Sequence, residues 1–284
     1  MKRVICFFIC VCFMMQSVAV FAEGNTDLGL NAKSAILMEE ATGNILYESN
    51  PDERLPIASV TKVMTMLLIM EAVDSGKISL DDMVTVSENA MSYGGSTMFL
   101  ETGEQLTVND MLKGIAVASA NDGCVAMAEH LAGSESAFVD MMNEKAKEIG
   151  ATNTHFVNCH GLHDDDHYTT AYDLYLIIKE FSKHDLAYVI DSLDTYDFTY
   201  TDADGNEQVV TIEPTNEFLT GEVNFPDGYS IGSWKTGTTE EALNCLIMEL
   251  KNDSTGEEYI ALVAGADGKE ALYSAMTELI NKAK

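Results

Sequence analysis

The chain is short of positive charge: 16 Lys and Arg stand against 46 Asp and Glu in 284 residues. That balance excludes general affinity for nucleic acid or anionic lipid, both of which need a basic surface. Two of the bases, Lys2 and Arg3, precede the first acid, Glu23, so the remainder is more acidic still and reads as a solvated, self-repelling surface. Cysteine is scarce where it would matter. Cys6, Cys10 and Cys12 crowd the N-terminus, and beyond them come only Cys124, Cys159 and Cys245, an odd number without close spacing. A disulfide scaffold is therefore not expected, and at most one bridge could form. Each of the three reads first as a packed apolar residue. After residue 22 no apolar run is long enough to cross a membrane. No internal repeat, low-complexity segment or linker marks a second domain.

What is present begins with Lys2-Arg3, an apolar run over residues 4–15, and the small residues of Ala19-Val20-Phe21-Ala22. This is the pattern of a secretory signal over residues 1–22, with a mature start near Glu23. Gln16 and Ser17 interrupt the run and argue against an uncleaved anchor. Residues 23–30 are polar and aperiodic, a tether, and residues 31–284 form one domain.

Two strand-like runs, 34–39 and 45–49, flank Ala41-Thr-Gly-Asn44 as a hairpin. Residues 59–76 predict a helix opened by Ser59, apolar around nearly its whole circumference and therefore buried, with Gly76 as its stop. Residues 79–104 read mostly as loop. Thr107 and Thr170 head capping patterns for helices over about 107–118 and 170–183, with further helices over about 122–131 and 135–149. A second hairpin is centred on Asp204-Gly205, strands follow over 230–234, 243–250 and 259–264, and an amphipathic helix closes the chain over about 269–283. Strands at both ends with helices between them argue an α+β fold. The simplest assembly is one antiparallel sheet built from N- and C-terminal strands, with an inserted all-helical lobe and a cleft at their junction.

The chemistry sits in three short patterns: Ser59-Val-Thr-Lys62, Ser119-Ala-Asn121 and Lys235-Thr236-Gly237. Ser59 and Lys62 share one helix face at i and i+3, a nucleophile beside a base at the N-terminal end of a buried helix. Ser87-Glu-Asn89 is a second S-x-N, but Ser119 sits at a joint between two helices, where a polar pair can face a cleft. Gly237 lies in a strand-like run, where glycine has no packing use and permits close approach of another backbone. His155, Cys159, His160, His163, His167 and residues 164–166 crowd one loop, yet their spacing fits no compact zinc pattern, and no metal is expected. Asp202-Ala-Asp204-Gly-Asn206 resembles part of a calcium loop but lacks its downstream Glu, so a hairpin turn is the better reading.

S-x-x-K, S-x-N and K-T-G in this order are a signature of penicillin-recognising serine enzymes. The longer segments GNILYESNPDERLPIASVTKVMT, LKGIAVASANDGCVAMAEHLAGS, GLHDDDHYTTAYDL and WKTGTTEEALNCLI resemble the D-alanyl-D-alanine carboxypeptidases, the low-molecular-mass penicillin-binding proteins of the S11 peptidase family. The resemblance runs from about Asn31 to the end. It implies a β-lactamase/transpeptidase-like fold, a catalytic domain over 31–284, and removal of the terminal D-alanine from peptidoglycan stem peptides through an acyl-serine. It also implies β-lactam antibiotics as covalent inhibitors, no cofactor, and an exported protein, extracellular or associated with the cell wall. In this reading Ser59 is the nucleophile. Lys62 takes its proton, kept neutral by burial and by the Lys235 charge. Ser119 passes the proton to the leaving D-alanine and Asn121 orients Lys62 and the substrate. Lys235 and Thr236 bind the terminal carboxylate, and the N–H groups of Ser59 and Thr238, beyond Gly237, form the oxyanion hole. Many members continue into a β-rich second domain and a C-terminal amphipathic anchor, neither of which is expected here, and Lys269 corresponds to a position where some carry an arginine. A β-lactamase and a slow penicillin-binding sensor are the competing functions.

Overall fold

The structure, a computed structural model, describes residues 27–187, 195–201 and 207–283. The expected signal segment, residues 23–26 of the tether, and the turn at 202–206 with its calcium-like pattern lie outside the described residues. Residues 27–30 have no regular secondary structure, and Leu28 and Leu30 pack against the core.

The N-terminal hairpin forms as predicted from β1 (Ser34–Glu39) and β2 (Ile45–Ser49). The C-terminal strands β7 (Tyr229–Thr239), β8 (Leu243–Asn252) and β9 (Glu258–Ala266) join it in one five-stranded antiparallel sheet, ordered β2-β1-β9-β8-β7. Side chains alternate between the two faces of a strand. Leu37, Leu246, Met248 and Val263 point to one face and meet Leu272, Met276 and Leu279 of the C-terminal helix Lys269–Lys282 (α8 below). Ile36, Met38, Ile247 and Leu262 point to the other face and join the core of the inserted lobe.

That lobe is organised on α1 (Lys62–Asp74), in which every residue from Lys62 to Met70 is buried. Burying a Leu, Ile or Met side chain contributes about 1.5–3 kcal/mol relative to exposure, so this helix is the chief apolar investment of the lobe. Around it lie α2 (Glu88–Met91), α3 (Val108–Val117), α4 (Asn121–Ala132), α5 (Glu135–Glu148) and α6 (Ala171–Phe181). Thr107 and Thr170 cap α3 and α6, each hydroxyl accepting an N–H three residues on at 3.1 Å. Cys124, Cys159 and Cys245 are all buried and free.

The structure differs from the sequence expectation in several places. The lobe also carries strands: β3 (Met83–Thr85), within the stretch read mostly as loop, pairs with β4 (Gln105–Thr107), which lies just beyond it. The second hairpin, β5 (Tyr196–Thr201) with β6 (Glu207–Ile212), pairs only with itself and does not join the main sheet. It docks on α3 instead: the Tyr196 hydroxyl is bonded to Asp110, and Lys113 Nζ lies 4.8 Å from the centre of the Tyr196 ring. A one-turn helix, α7 (Glu217–Thr220), follows this hairpin, also unforeseen.

Candidate active site

Ser59 does not open α1. It sits in a 3-10 turn, Ala58–Thr61, that leads into the helix. Ala58 adopts a left-handed φ of 48°, a conformation that costs a non-glycine residue about 1–2 kcal/mol, and Val60 N–H closes the turn on Ile57 O at 3.2 Å. The expected i, i+3 geometry nevertheless holds, with Lys62 Nζ 2.9 Å from Ser59 Oγ.

Two glycines press neighbouring segments onto this turn. A Cβ on Gly237 would lie 2.5 Å from Ile57 O and 3.0 Å from both Ser59 N and Val60 N, so β7 runs directly against the Ser59 turn. A Cβ on Gly161 would lie 1.9 Å from Ala58 O, and Gly161 has a φ of 89°. The loop that contains it packs on the turn from another side.

Asn121 is the first residue of α4, and Ser119 forms the joint before it, buried, with a φ of 57°. The Ser119 hydroxyl has no hydrogen-bond partner among the described residues and lines the cleft. Asn121 Nδ2 donates to Gly94 O at 2.7 Å, while its Oδ1 accepts from Lys62 Nζ at 2.7 Å. Next to it, buried Asp122 accepts the N–H groups of Met98 and Leu100 at 3.1 Å and pins that loop to the helix. A further acceptor for Lys62 is a main-chain group, His160 O, at 2.6 Å.

Lys62 is fully buried, and burial lowers its amine pKa from the ordinary value, while Cys124, Cys159 and Asp122 pull the other way. Burial, rather than the Lys235 charge, is thus the first cause of the shift. In the neutral amine the two N–H bonds go to Asn121 Oδ1 and His160 O, neither of which has a proton to give as arranged. The lone pair is left for Ser59 Oγ.

On the facing strand, Lys235 is fully buried and its Nζ donates to Thr236 O at 3.1 Å. Thr236 Oγ1 is 2.5 Å from Thr215 Oγ1, and Thr238 Oγ1 is 3.2 Å from Asn244 Oδ1. A cleft of about 290 Å³ lies between the lobe and β7, bordered by Ser59, Ser119, Thr236, Gly237, Thr238 and Lys269. Lys269 is held by Glu217 of α7 at 2.5 Å. The structure thus gathers all eight residues singled out in the sequence at one cleft and its immediate walls.

The family whose members are described as D-alanyl-D-alanine carboxypeptidase, the S11 peptidases, matches residues 21–268. The chain belongs to the D-alanyl-D-alanine carboxypeptidase family. It is 43% identical over 258 residues to the D-alanyl-D-alanine carboxypeptidase DacF of Bacillus subtilis, covering 90% of this chain and 63% of DacF. It is 40% identical to DacC of Escherichia coli over 59% of this chain and 44% of DacC. The chain therefore spans less than two thirds of the length of these relatives. Among solved carboxypeptidase-family structures, DacD of Francisella tularensis superposes with a TM-score of 0.80 at 28% identity, over 98% of this chain and 75% of that one. Penicillin binding protein 5 of Haemophilus influenzae gives 0.80 at 31%, over 91% and 72%.

The histidine-rich loop fits no compact zinc pattern in sequence. Its rings find separate partners: His155 Nδ1 meets Asp166 O at 2.6 Å, His163 lies by Asp165, and His167 Nε2 meets Thr61 Oγ1 at 2.7 Å. Yet this loop also supplies His160 O to Lys62. Gly161 was the available signal, since a glycine there serves close backbone approach.

Proposed function

We propose that this chain is a serine-type D-Ala-D-Ala carboxypeptidase acting outside the cytoplasm, which removes the terminal D-alanine from peptidoglycan stem peptides. The observation that carries the reading is the buried Lys62 amine, whose Nζ lies 2.7 Å from Asn121 Oδ1, 2.6 Å from His160 O and 2.9 Å from Ser59 Oγ. A placed general base of this kind contributes about 10²–10⁴ in rate.

Ser59 Oγ attacks the carbonyl carbon of the penultimate D-alanine, and its proton passes to Lys62 Nζ. Thr236 and Lys235 hold the terminal carboxylate. The backbone N–H groups of Ser59 and Thr238 receive the charge that develops on the carbonyl oxygen, where fixed donors act most strongly. Ser119, strained and with its hydroxyl turned to the cleft, relays the proton to the departing D-alanine nitrogen. The C–N bond breaks, an acyl-Ser59 ester remains, and water completes the hydrolysis by the same Lys62 network. β-Lactams enter as mimics of the substrate and acylate the same serine.

A β-lactamase would need a carboxylate placed to activate water on the penicilloyl ester. Glu148 is paired with Lys145 at 2.9 Å and Glu180 with Lys183, while Glu144 borders a separate groove with Asn143 and Lys147. Glu217 and Glu222 do border the cleft, and Lys269 holds Glu217. The test is release of free D-alanine from a peptide ending in D-Ala-D-Ala by the purified protein. No release, together with rapid multiple turnover of a chromogenic cephalosporin, would replace the reading with β-lactamase.

A further inference from the structure

Lys62 depends on two acceptors, and both are held by backbone. Asn121 is oriented by Gly94 O, and the second acceptor is His160 O itself. The residues that carry these carbonyls belong to two separate loops, far apart in sequence, and one side chain touches both.

That side chain is Glu135, the first residue of α5. An acid in the first turn of a helix is ordinary, because it complements the helix dipole. Here, however, Ser134 already caps the helix through Ala137 N–H, and the Glu135 carboxylate turns inward to donors from elsewhere. Its Oε2 accepts from Tyr93 Oη at 2.8 Å, and Tyr93 immediately precedes Gly94. Its Oε1 accepts Cys159 N–H at 3.2 Å and lies 3.4 Å from His160 Nε2. The Tyr93 and His160 rings rest on one another with centroids 4.8 Å apart. Leu162 N–H donates to His160 Nδ1 at 3.1 Å, so the neutral ring carries its proton on Nε2, facing Glu135. Burial alone would raise the carboxyl pKa, but His160 and Tyr93 outweigh it and bring Glu135 down to about 2, so the group is an anion at neutral pH.

We propose that Glu135 is a positioning residue for the Ser59–Lys62 pair, a carboxylate that locks the Tyr93–Gly94 and Cys159–His160 segments together so that Gly94 O and His160 O hold Asn121 and Lys62 in register. The inference rests on the carboxypeptidase reading above and names a residue that touches no substrate.

Glu135→Gln keeps the shape but removes the negative charge and one of the two acceptor oxygens: with the amide oxygen on Cys159 N–H and His160 Nε2–H, the NH₂ faces the Tyr93 hydroxyl, which must turn from donating to accepting. Glu135→Ala removes the tie. Peptide turnover is measured per active site, with sites counted by stoichiometric labelled penicillin, so that lost folding is not read as lost catalysis. The expected result is a kcat lower by about tenfold in Gln and about a hundredfold in Ala, with KM within about twofold, because the carboxylate-binding strand β7 is untouched. Penicillin acylation should slow in parallel. A variant with kcat within twofold of wild type, or a loss confined to KM, overturns the proposal while leaving the carboxypeptidase reading intact. If Glu135→Ala fails to fold, Glu135→Gln decides alone. If the wild-type protein releases no D-alanine, the parent reading falls and this one with it.

Discussion

Replacing Gly237 with alanine adds one methyl group at the junction of the two halves of the site. The new Cβ would stand 2.5 Å from Ile57 O, where ordinary contacts begin near 3.4 Å, a deficit of about 0.9 Å. The atoms it meets belong to the main chain of residues 57–60, so no flexible side chain can swing aside. Either β7 or the Ser59 turn must retreat by most of an ångström. Overpacking of this kind costs about 1–3 kcal/mol. For a domain of this size, 1 kcal/mol corresponds to about 2–4 °C in Tm. Catalysis should suffer more, since a 1 Å misplacement can cost about 10²-fold. We expect penicillin acylation of Gly237→Ala, followed by stopped-flow, to slow by about 10²-fold with a Tm drop of a few degrees. Gly232→Ala in the same strand is the control: the three atoms nearest its Cβ, at 2.8–3.1 Å, all belong to the Glu249 side chain, which can rotate away. If Gly237→Ala acylates within threefold of wild type, the idea that the glycine sets the spacing of nucleophile and strand is refuted.

A labelled penicillin should add once, to Ser59, and persist for minutes or longer while D-Ala-D-Ala peptides turn over; mass spectrometry placing the label on Ser119 would overturn the assignment. Lys62→Ala should abolish acylation, whereas Lys235→Arg should retain some, because the charge survives while the geometry changes; equal and complete loss in both would show that their roles are not distinct. His167, held down to about 4 by burial, stays neutral in the folded state while the unfolded chain takes up a proton near 6.5. Its share of stability is thus intact above pH 6.5 and declines as the pH falls towards 4, by about 3 kcal/mol in all. Thermal melts of wild type and His167→Gln across that window should differ in slope, and parallel curves would contradict the sign.

Much of this molecule was legible before its structure. The N-terminal hairpin, the buried α1 and the capped α3 and α6 follow from periodicity and from Thr107 and Thr170, because local chemistry decides them. Membership of the site was equally readable from Ser59, Ser119 and Lys235, since each lies in a short pattern with its own signature. The 3-10 turn was not, because Ala58 in a left-handed conformation contradicts its own propensity and is imposed by tertiary contacts with Gly161 and Gly237. His160 O escaped for a different reason: a carbonyl leaves no trace in residue identity. The role of burial over Lys235 in lowering the Lys62 amine depended on how completely α1 is covered. The independent β5–β6 hairpin turned on a contact between Tyr196 and α3 that no local pattern encodes.

The order of strands in the main sheet has a kinetic consequence. Ser34 of β1 pairs with Ala264 of β9, roughly 230 residues later. The Ser59 turn rests on β7, β7 is held by β8, β8 by β9, and β9 closes on β1. Such distant pairings make a topology of high contact order, slow to fold because loop closure precedes the contacts that reward it. Until β7, β8 and β9 have paired, the Ser59 turn lacks the strand on which it rests. On the carboxypeptidase reading proposed above, a chain in which those strands have not yet paired carries the side chains for acyl transfer without the arrangement that activates them.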